Sequence, residues 1–228
     1  MEGKSYEVII SDETDLLMQA KRENKATIGL LTDGIEQDFS HVSYAVESME
    51  TIDPVYLERV VRRYLKMPWM IAKTERVIIR EFCITDLPEV PVFPTDTDAD
   101  KIFQDEKRLE AYIHHQYGLF EYGIWALIET HTGTLIGKAG ISNLSDTDQI
   151  ELGYHIFPAY QRMGYAKEVC SRILSYAKEE LDIKTIHARI DPSNEGSLHL
   201  AQSLGFLPME RKYNQLMPDY VQYVLNLR

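Results

Sequence analysis

The chain has 228 residues, 44% of them hydrophobic, which is enough to bury a full core in one or two domains. Its 36 acidic side chains outnumber its 24 lysines and arginines, so the formal net charge is −12 at pH 7. This excess of acid argues against a nucleic-acid-binding protein, because phosphate neutralisation needs clustered basic residues. It is weakly compatible with a cationic substrate.

Neither a membrane span nor an export signal is predicted. The sequence has no apolar run near the roughly 20 residues that cross a membrane, and its first residues, MEGKSYE, are not those of a signal peptide. Cys83 and Cys170 are isolated thiols without the spacing of a metal site or a disulfide framework. We therefore expect a cytoplasmic protein that binds no metal, no membrane and no nucleic acid.

The first third of the chain alternates short apolar segments with helical patterns. Leu16, Leu17 and Ala20 mark a first helix, and Asp53 as N-cap with Pro54 opens a second one. Strands that alternate with helices indicate a parallel βαβ arrangement. The predicted strands cover residues 6–11, 26–31 and 44–46.

Residues 1–73 resemble the C-terminal part of the Rossmann-like core of haloacid-dehalogenase-type phosphatases, where a strand ends in an acidic loop before a helix, a strand and a glycine. Those enzymes need an aspartate nucleophile on an earlier strand, and no Asp-x-Asp motif precedes this region. Asp12, Asp15 and Asp33 are either metal ligands or solvated groups at strand ends. We expect a small docking or oligomerising segment without chemistry, and a homodimer is left open.

A second region, residues 74–228, begins with a strand at 76–82, after which Thr85 or Asp86 caps a helix start. An acidic loop, Thr95 to Asp100, then leads into an amphipathic helix from Ile102 to Tyr117. Two strands joined by His-Thr-Gly-Thr follow as a hairpin, at residues 123–129 and 135–141.

The stretch IELGYHIFPAYQRMGYA, from Ile150 to Ala166, predicts a strand, a tight turn and a helix that begins near Gly164. The first N–H groups of such a helix have no intrahelical partner, so an anion is favoured there. Arg162 and Lys167 add positive charge. Taken alone, this pattern is equally compatible with plain α/β architecture.

The remaining residues complete a mixed α/β sheet. A strand is predicted at 184–191, followed by a helix that Ser193 or Asn194 caps and that ends at Gly205. Two closing strands are predicted at 206–213 and 220–227.

Several segments of residues 74–228 together resemble the GNAT superfamily of acetyl-CoA-dependent N-acetyltransferases. They are RVIIREF with TDL, IGKAGI, IELGY, QRMGYA and NEGS with SLGF, in family order. The segments are most similar to the branch that contains the ribosomal-protein N-terminal alanine acetyltransferases. The resemblance implies a mixed α+β fold, with a mostly antiparallel twisted sheet, helices on both faces and acetyl-CoA as co-substrate.

The resemblance also implies a cofactor site along this strand, turn and helix. In GNAT proteins the strand separates from its successor, and the pantetheine arm bonds to the exposed main chain as an added strand would. Asn194 would reach this arm, cap its helix, or do both. The main-chain contacts fall on His155, Ile156 and Phe157, and the diphosphate on Gln161, Arg162, Met163, Gly164, Tyr165, Ala166 and Lys167.

The implied reaction is direct attack of a neutral amine on a thioester, without a covalent enzyme intermediate. Glu151 is the candidate base, acting directly or through water, and a salt-bridged strand carboxylate is the alternative. Many GNAT enzymes carry an acidic tyrosine where this chain has Ala201. Ser197 matches the serine of the ribosomal-protein branch and is the candidate acid, with His199 and Tyr165 as alternatives.

The acceptor is an amine, either a protein N-terminus or a small molecule. Family position places its site near residues 87–117 and Asn214 to Asp219, and no acidic wall is identified from Asp96, Asp98 and Asp100. A non-catalytic acyl-CoA-binding module is the competing hypothesis, and a phosphatase is the third. Aromatic residues that either line the acceptor site or belong to the core are Tyr112, Tyr117, Phe120, Tyr122 and Trp125.

Overall fold

The computed structural model describes residues 5–34, 36–39, 42–144, 147–209 and 220–227. The chain forms two compact units. The first unit comprises Met1–Trp69, Cys83–Leu87 and Thr95–Glu121, and the second comprises Met70–Phe82, Pro88–Pro94 and Tyr122–Arg228. No helix built from the described residues is both long enough and apolar enough to span a membrane.

The first unit contains a small parallel sheet with the strand order β1 (Val8–Ser11), β2 (Ala26–Leu30) and β3 (Ala45–Val46). Helices α1 (Thr14–Arg22) and α2 (Pro54–Tyr64) complete it. As predicted, Asp53 caps α2, because its Oδ1 accepts a hydrogen bond of 2.7 Å from the Tyr56 N–H. The parallel pairing of β1, β2 and β3 confirms the arrangement predicted from the sequence.

The single helix predicted from Ile102 to Tyr117 is wrong, because the chain forms three shorter segments there. A 3₁₀ helix (Asp100–Gln104) is followed by α3 (Glu106–Tyr112) and a π-helical segment (Ile113–Phe120). Asp105 interrupts the first two, since its carboxylate accepts from the Arg108 N–H at 2.9 Å and so starts a new helix. The predicted helix start at Thr85 or Asp86 is a 3₁₀ helix, Ile84–Glu89.

The second unit is built on an eight-stranded sheet in which every neighbouring pair is antiparallel except β8–β9. The order across the sheet is β10-β11-β9-β8-β7-β6-β5-β4. Its strands are β4 (Met70–Lys73), β5 (Val77–Arg80), β6 (Ile124–Glu129), β7 (Leu135–Asn143), β8 (Ile150–Ile156), β9 (Thr185–Ile190), β10 (Leu207–Pro208) and β11 (Val221–Asn226).

Helices α4 (Tyr165–Glu179) and α5 (Glu195–Ser203) belong to the same unit. The buried rings of Trp125 on β6 and Tyr176 on α4 meet edge to face at 5.6 Å, which seats α4 on one face of the sheet. The predicted hairpin is confirmed as β6–β7, with Gly133 at φ +73° in its turn. Strand β4 was not predicted, and residues 210–213 of the predicted closing strand lie outside the described residues.

Candidate active site

Strand β8 separates from β9 after a single pair. It pairs with β7 over its whole length, from Gly137↔Ile156 to Asn143↔Ile150, whereas its pairing with β9 consists of Glu151↔His187 alone. Beyond this pair the two parallel strands diverge, so a gap opens along β8 toward the start of α4. The separation that the resemblance implied is therefore present.

The direction of the β8 main chain decides which groups face this gap. Phe157 donates its N–H to Ile136 O at 2.9 Å, so Phe157 belongs to a hydrogen-bonded pair with β7. Such pairs alternate in an antiparallel ladder, which turns His155 toward β7 and leaves Tyr154 and Ile156 facing the gap. Of the three residues predicted to bind through their main chain, Ile156 has the suitable direction, and Tyr154 joins it.

The turn between β8 and α4 exposes main-chain N–H groups. Arg162 and Gly164 adopt left-handed conformations, with φ of +62° and +85°, and no side chain caps α4. Gln161 closes the start of the turn by donating from Nε2 to Ile156 O at 2.8 Å. Arg162, Met163, Gly164 and Lys167 are exposed. Left-handed residues beside an uncapped helix start form a concave set of donors that suits an oxyanion.

Glu151 forms an ion pair beside the gap. Arg189 on β9 donates to its Oε2 from Nε at 2.9 Å and from Nη2 at 2.8 Å, and the Glu151 side chain is 15% exposed. His187, the β9 residue opposite Glu151, has its pKa lowered by burial, while the Glu151 charge acts in the opposite direction. The salt-bridged alternative is thus realised at the closed end of the gap.

Asn194 and Ser197 lie at the start of α5. Asn194 caps this helix, because its Oδ1 accepts from the Ser197 N–H at 3.0 Å. The Tyr154 hydroxyl donates to the main-chain oxygen of Ser197 at 3.4 Å, so the Tyr154 side chain reaches from β8 to the helix that follows β9. Burial raises the pKa of Tyr154, although the contact with Ser197 lowers it. Ala201 is buried one turn further along.

Comparison with known proteins identifies this arrangement. Residues 76–207, more than half of the chain, match the model of the acetyltransferase (GNAT) domain. The chain belongs to the GNAT acetyltransferase family. The haloacid-dehalogenase resemblance of the first 73 residues receives no support from these comparisons.

Two relatives and one solved structure illustrate the GNAT match. The uncharacterized N-acetyltransferase YoaA of Bacillus subtilis is 35% identical over 83 residues, which are 36% of this chain and 47% of YoaA. N-alpha-acetyltransferase RimI of Mycobacterium tuberculosis is 31% identical over 86 residues, 36% of this chain and 52% of RimI. The chain therefore spans about half the length of both relatives.

A ribosomal-protein-S5-alanine acetyltransferase from Vibrio fischeri has a similar fold. Its structure superposes with a TM-score of 0.55 at 16% identity, over 68% of this chain and 95% of the other. At this identity the likeness concerns the fold alone, and it confirms the GNAT-type mixed α+β architecture.

The aromatic candidates for the GNAT acceptor site differ in exposure. Tyr117 in the first unit and Trp125 in the second are fully buried, so both serve their cores. Phe120 is 46% exposed, and Tyr122 donates its hydroxyl to Asn143. The candidate loop Asn214 to Asp219 lies outside the described residues.

The acidic and thiol candidates form local contacts. Asp96 accepts from Gln104 at 2.6 Å, Asp100 accepts from Thr97, and Asp98 pairs with Lys101 at 3.3 Å. Burial raises the pKa of Cys170 to about 12, which keeps this thiol protonated. Within the described ranges, no three His, Cys, Asp or Glu side chains converge as a metal site would require.

Three residues that the structure brings to this candidate site were missed from the sequence. Tyr154 was placed only on the apolar face of β8, and Arg189 was not singled out. Arg76 was read only as the start of a strand, yet its guanidinium contacts Met163 and Glu168 at the α4 turn. Each contact joins residues far apart in sequence, so no local signal announces it.

Proposed function

We propose that this protein transfers the acetyl group of acetyl-CoA directly to a primary amine. The observation that carries the proposal is the divergence of β8 from β9 after Glu151↔His187, which leaves a strand edge that runs into an uncapped helix. A strand edge accepts an amide-bearing chain by main-chain hydrogen bonds, and the helix start accepts its anionic end. Pantetheine joined to a diphosphate has this combination of groups.

The cofactor contacts in this proposal are mostly main-chain groups. The main-chain groups of Tyr154 and Ile156 bind the pantetheine amides. The Oδ1 of Asn194 caps α5, and its Nδ2 donates to the pantetheine arm. Arg162 and Lys167 supplement the N–H groups of residues 164–167 at the diphosphate. The predicted main-chain contacts of His155 and Phe157 are not part of this proposal, because the main-chain groups of both residues face β7.

Acetyl-CoA supplies an activated thioester, and the protein manages two protons. Glu151 takes a proton from the acceptor ammonium, directly or through water, while Arg189 fixes the direction of its carboxylate. The amine nitrogen then bonds to the thioester carbon as the C–S bond breaks. The nitrogen gives up its second proton, which replaces the proton that the donor passes to the sulfur. Ser197 is the candidate donor, and the Tyr154 hydroxyl, bonded to Ser197 O, is the second.

The acceptor we propose first is the N-terminal amine of a protein. RimI is named an N-alpha-acetyltransferase, and the Vibrio fischeri structure is named for ribosomal protein S5. A small amine is the second class. We further propose that residues 74–228 form the catalytic domain, that residues 1–73 have no chemistry, and that the reaction takes place in the cytoplasm.

Acetyl transfer from labelled acetyl-CoA to a mixed library of peptides and small amines tests this function. We expect thiol release that depends on the amine, with an acetylated product identified by mass spectrometry. Calorimetry of acetyl-CoA binding is the parallel measurement. Tight binding without thiol release across the library would contradict the enzyme and favour a non-catalytic acyl-CoA-binding module.

A further inference from the structure

Arg76 is held firmly at the residue before β5. Its N–H donates to Glu168 Oε1 at 3.1 Å, and its C=O accepts from the Thr130 N–H at 2.8 Å. A turn also braces this position, because Val77 donates to Thr74 Oγ1 at 2.9 Å. The arginine side chain therefore starts from a fixed main chain.

The guanidinium of Arg76 makes its contacts at the turn that precedes α4. It donates from Nε to Glu168 Oε2 at 2.8 Å, with Nη2 2.5 Å from the same oxygen. Nη1 donates to Met163 O at 2.9 Å, and the group lies over the Tyr165 ring at 4.4 Å from its centroid. Met163, Tyr165 and Glu168 thus all contact one side chain. We call residues 161–168, the turn before α4 and its first helical turn, the anion turn.

Glu168 poses an electrostatic problem at this turn. It lies in the first helical turn of α4, where a carboxylate adds negative charge beside the N–H groups. Burial raises its pKa, but hydrogen bonds from Thr74 and Arg76 outweigh this effect, so the pKa is lowered and the group stays ionised. An unpaired carboxylate here would repel a diphosphate.

We propose that Arg76 is a positioning residue for the anion site, which cancels the charge of Glu168 and holds the Met163 carbonyl away from the ligand. The carbonyl matters because an oxygen turned into the site would oppose an anion as the carboxylate does. Because Arg76 bonds to the Glu168 carboxylate and to the Met163 carbonyl, the turn presents the N–H groups of residues 164–167 to the anion. The inference rests on the proposed function, since acetyl-CoA supplies the anion.

Calorimetry with coenzyme A tests the inference on four variants of the full chain. Arg76→Met should weaken binding by about tenfold or more, because it leaves the Glu168 carboxylate uncompensated. Glu168→Gln should change binding little, and Arg76→Met combined with Glu168→Gln should recover most of the loss. Arg172→Met is the matched control, since Arg172 also pairs on α4, with Glu179 at 3.8 Å, and is 35% exposed against 37% for Arg76.

A ligand without phosphates separates electrostatics from folding. Arg76→Met and the wild type should bind acetyl-pantetheine equally, measured by competition, because this fragment does not reach the anion turn. For coenzyme A, the affinity of Arg76→Lys, which keeps the charge, should lie between that of the wild type and that of Arg76→Met. A larger loss in the double variant than in Arg76→Met, or an equal loss for acetyl-pantetheine, would overturn the proposal.

The outcome also distinguishes this inference from the function on which it rests. If the wild type fails to bind coenzyme A, the proposed function is wrong and the inference falls with it. If the wild type binds and Arg76→Met binds equally well, the inference alone is wrong.

Discussion

The two ends of the gap along β8 are built differently. At the α4 end the proposed binding groups are main-chain atoms within one stretch of sequence, from Ile156 to Lys167. At the Glu151 end they are side chains of β8 and β9, with the Tyr154 hydroxyl bonded to the main-chain oxygen of Ser197 on α5. The main-chain part of the proposed anion site is therefore predictable from one stretch of sequence, whereas Arg76 and the groups proposed for proton transfer depend on partners that only the fold supplies.

Replacing Gly164 with Glu should have the largest effect on coenzyme A binding, because it changes the main chain of the turn before α4. The residue has φ +85°, and an added Cβ would lie 3.5 Å from Arg76 Nη2, so the new side chain combines backbone strain with negative charge at the anion turn. We expect coenzyme A binding to fall by roughly a hundredfold or more in calorimetry.

Gly133→Glu provides the control for this change. Gly133 has φ +73° in the β6–β7 turn, with open space around it, so the variant carries similar strain far along the chain from the anion turn. It should lose stability and keep its affinity. Equal binding by both variants would show that the α4 turn holds no diphosphate.

Glu151→Gln should separate the two ends of the gap. The amide keeps the shape of the side chain but cannot take up a proton, so we expect kcat to fall by about a hundredfold or more while the affinity for acetyl-CoA is unchanged. Stopped thiol-release assays and calorimetry measure the two quantities. Glu129→Gln, at the half-buried end of β6, is the control.

An unchanged kcat for Glu151→Gln would mean that the pair with Arg189 is purely structural. A residue other than Glu151 would then be the base, and the Glu151 end of the gap would lose its proposed catalytic residue.

Ser197→Ala and Tyr154→Phe compare the two hydroxyl groups that we propose as proton donors to the leaving sulfur. Ser197→Ala keeps the carbonyl that Tyr154 contacts, so the two changes are independent. We expect whichever hydroxyl donates the proton to cost about tenfold in kcat, with affinity nearly unchanged. Tyr223→Phe, on β11, controls for loss of a buried phenol. If Ser197→Ala leaves turnover intact, the serine assignment is wrong.

Local patterns predicted much of the fold. Alternation located β8, the three- and four-residue spacing located α4, and Asp53 and Asn194 cap their helices as their types indicate. Each of these features depends on neighbours within about four residues, which is the range of helix caps and hydrophobic periodicity.

The remaining features could not be read from local patterns. Strand β4 has only four residues and is defined by its pairing with β5. In the sequence, Arg76 and Glu168 are 92 residues apart, and Glu151 and Arg189 are 38 apart. The direction of the β8 main chain also depends on its register with β7. In each case the missing information is a partner distant in the chain.

The smallest expected effect is on the pH dependence of thermal stability, and it arises from His187 at the Glu151 end of the gap. Burial lowers the pKa of His187 below its usual value, although Glu151 opposes the shift, so the unfolded chain takes up this proton more readily. Stability from this residue is therefore present at neutral pH and declines as pH falls through the unfolded pKa of about 6.5 toward the lower folded value. His187→Gln should flatten the fall in Tm between about pH 7 and 5, measured by thermal unfolding. His131→Gln, in the exposed β6–β7 turn, should leave it unchanged, and an equal slope in wild type and His187→Gln would contradict a neutral, desolvated imidazole beside Glu151.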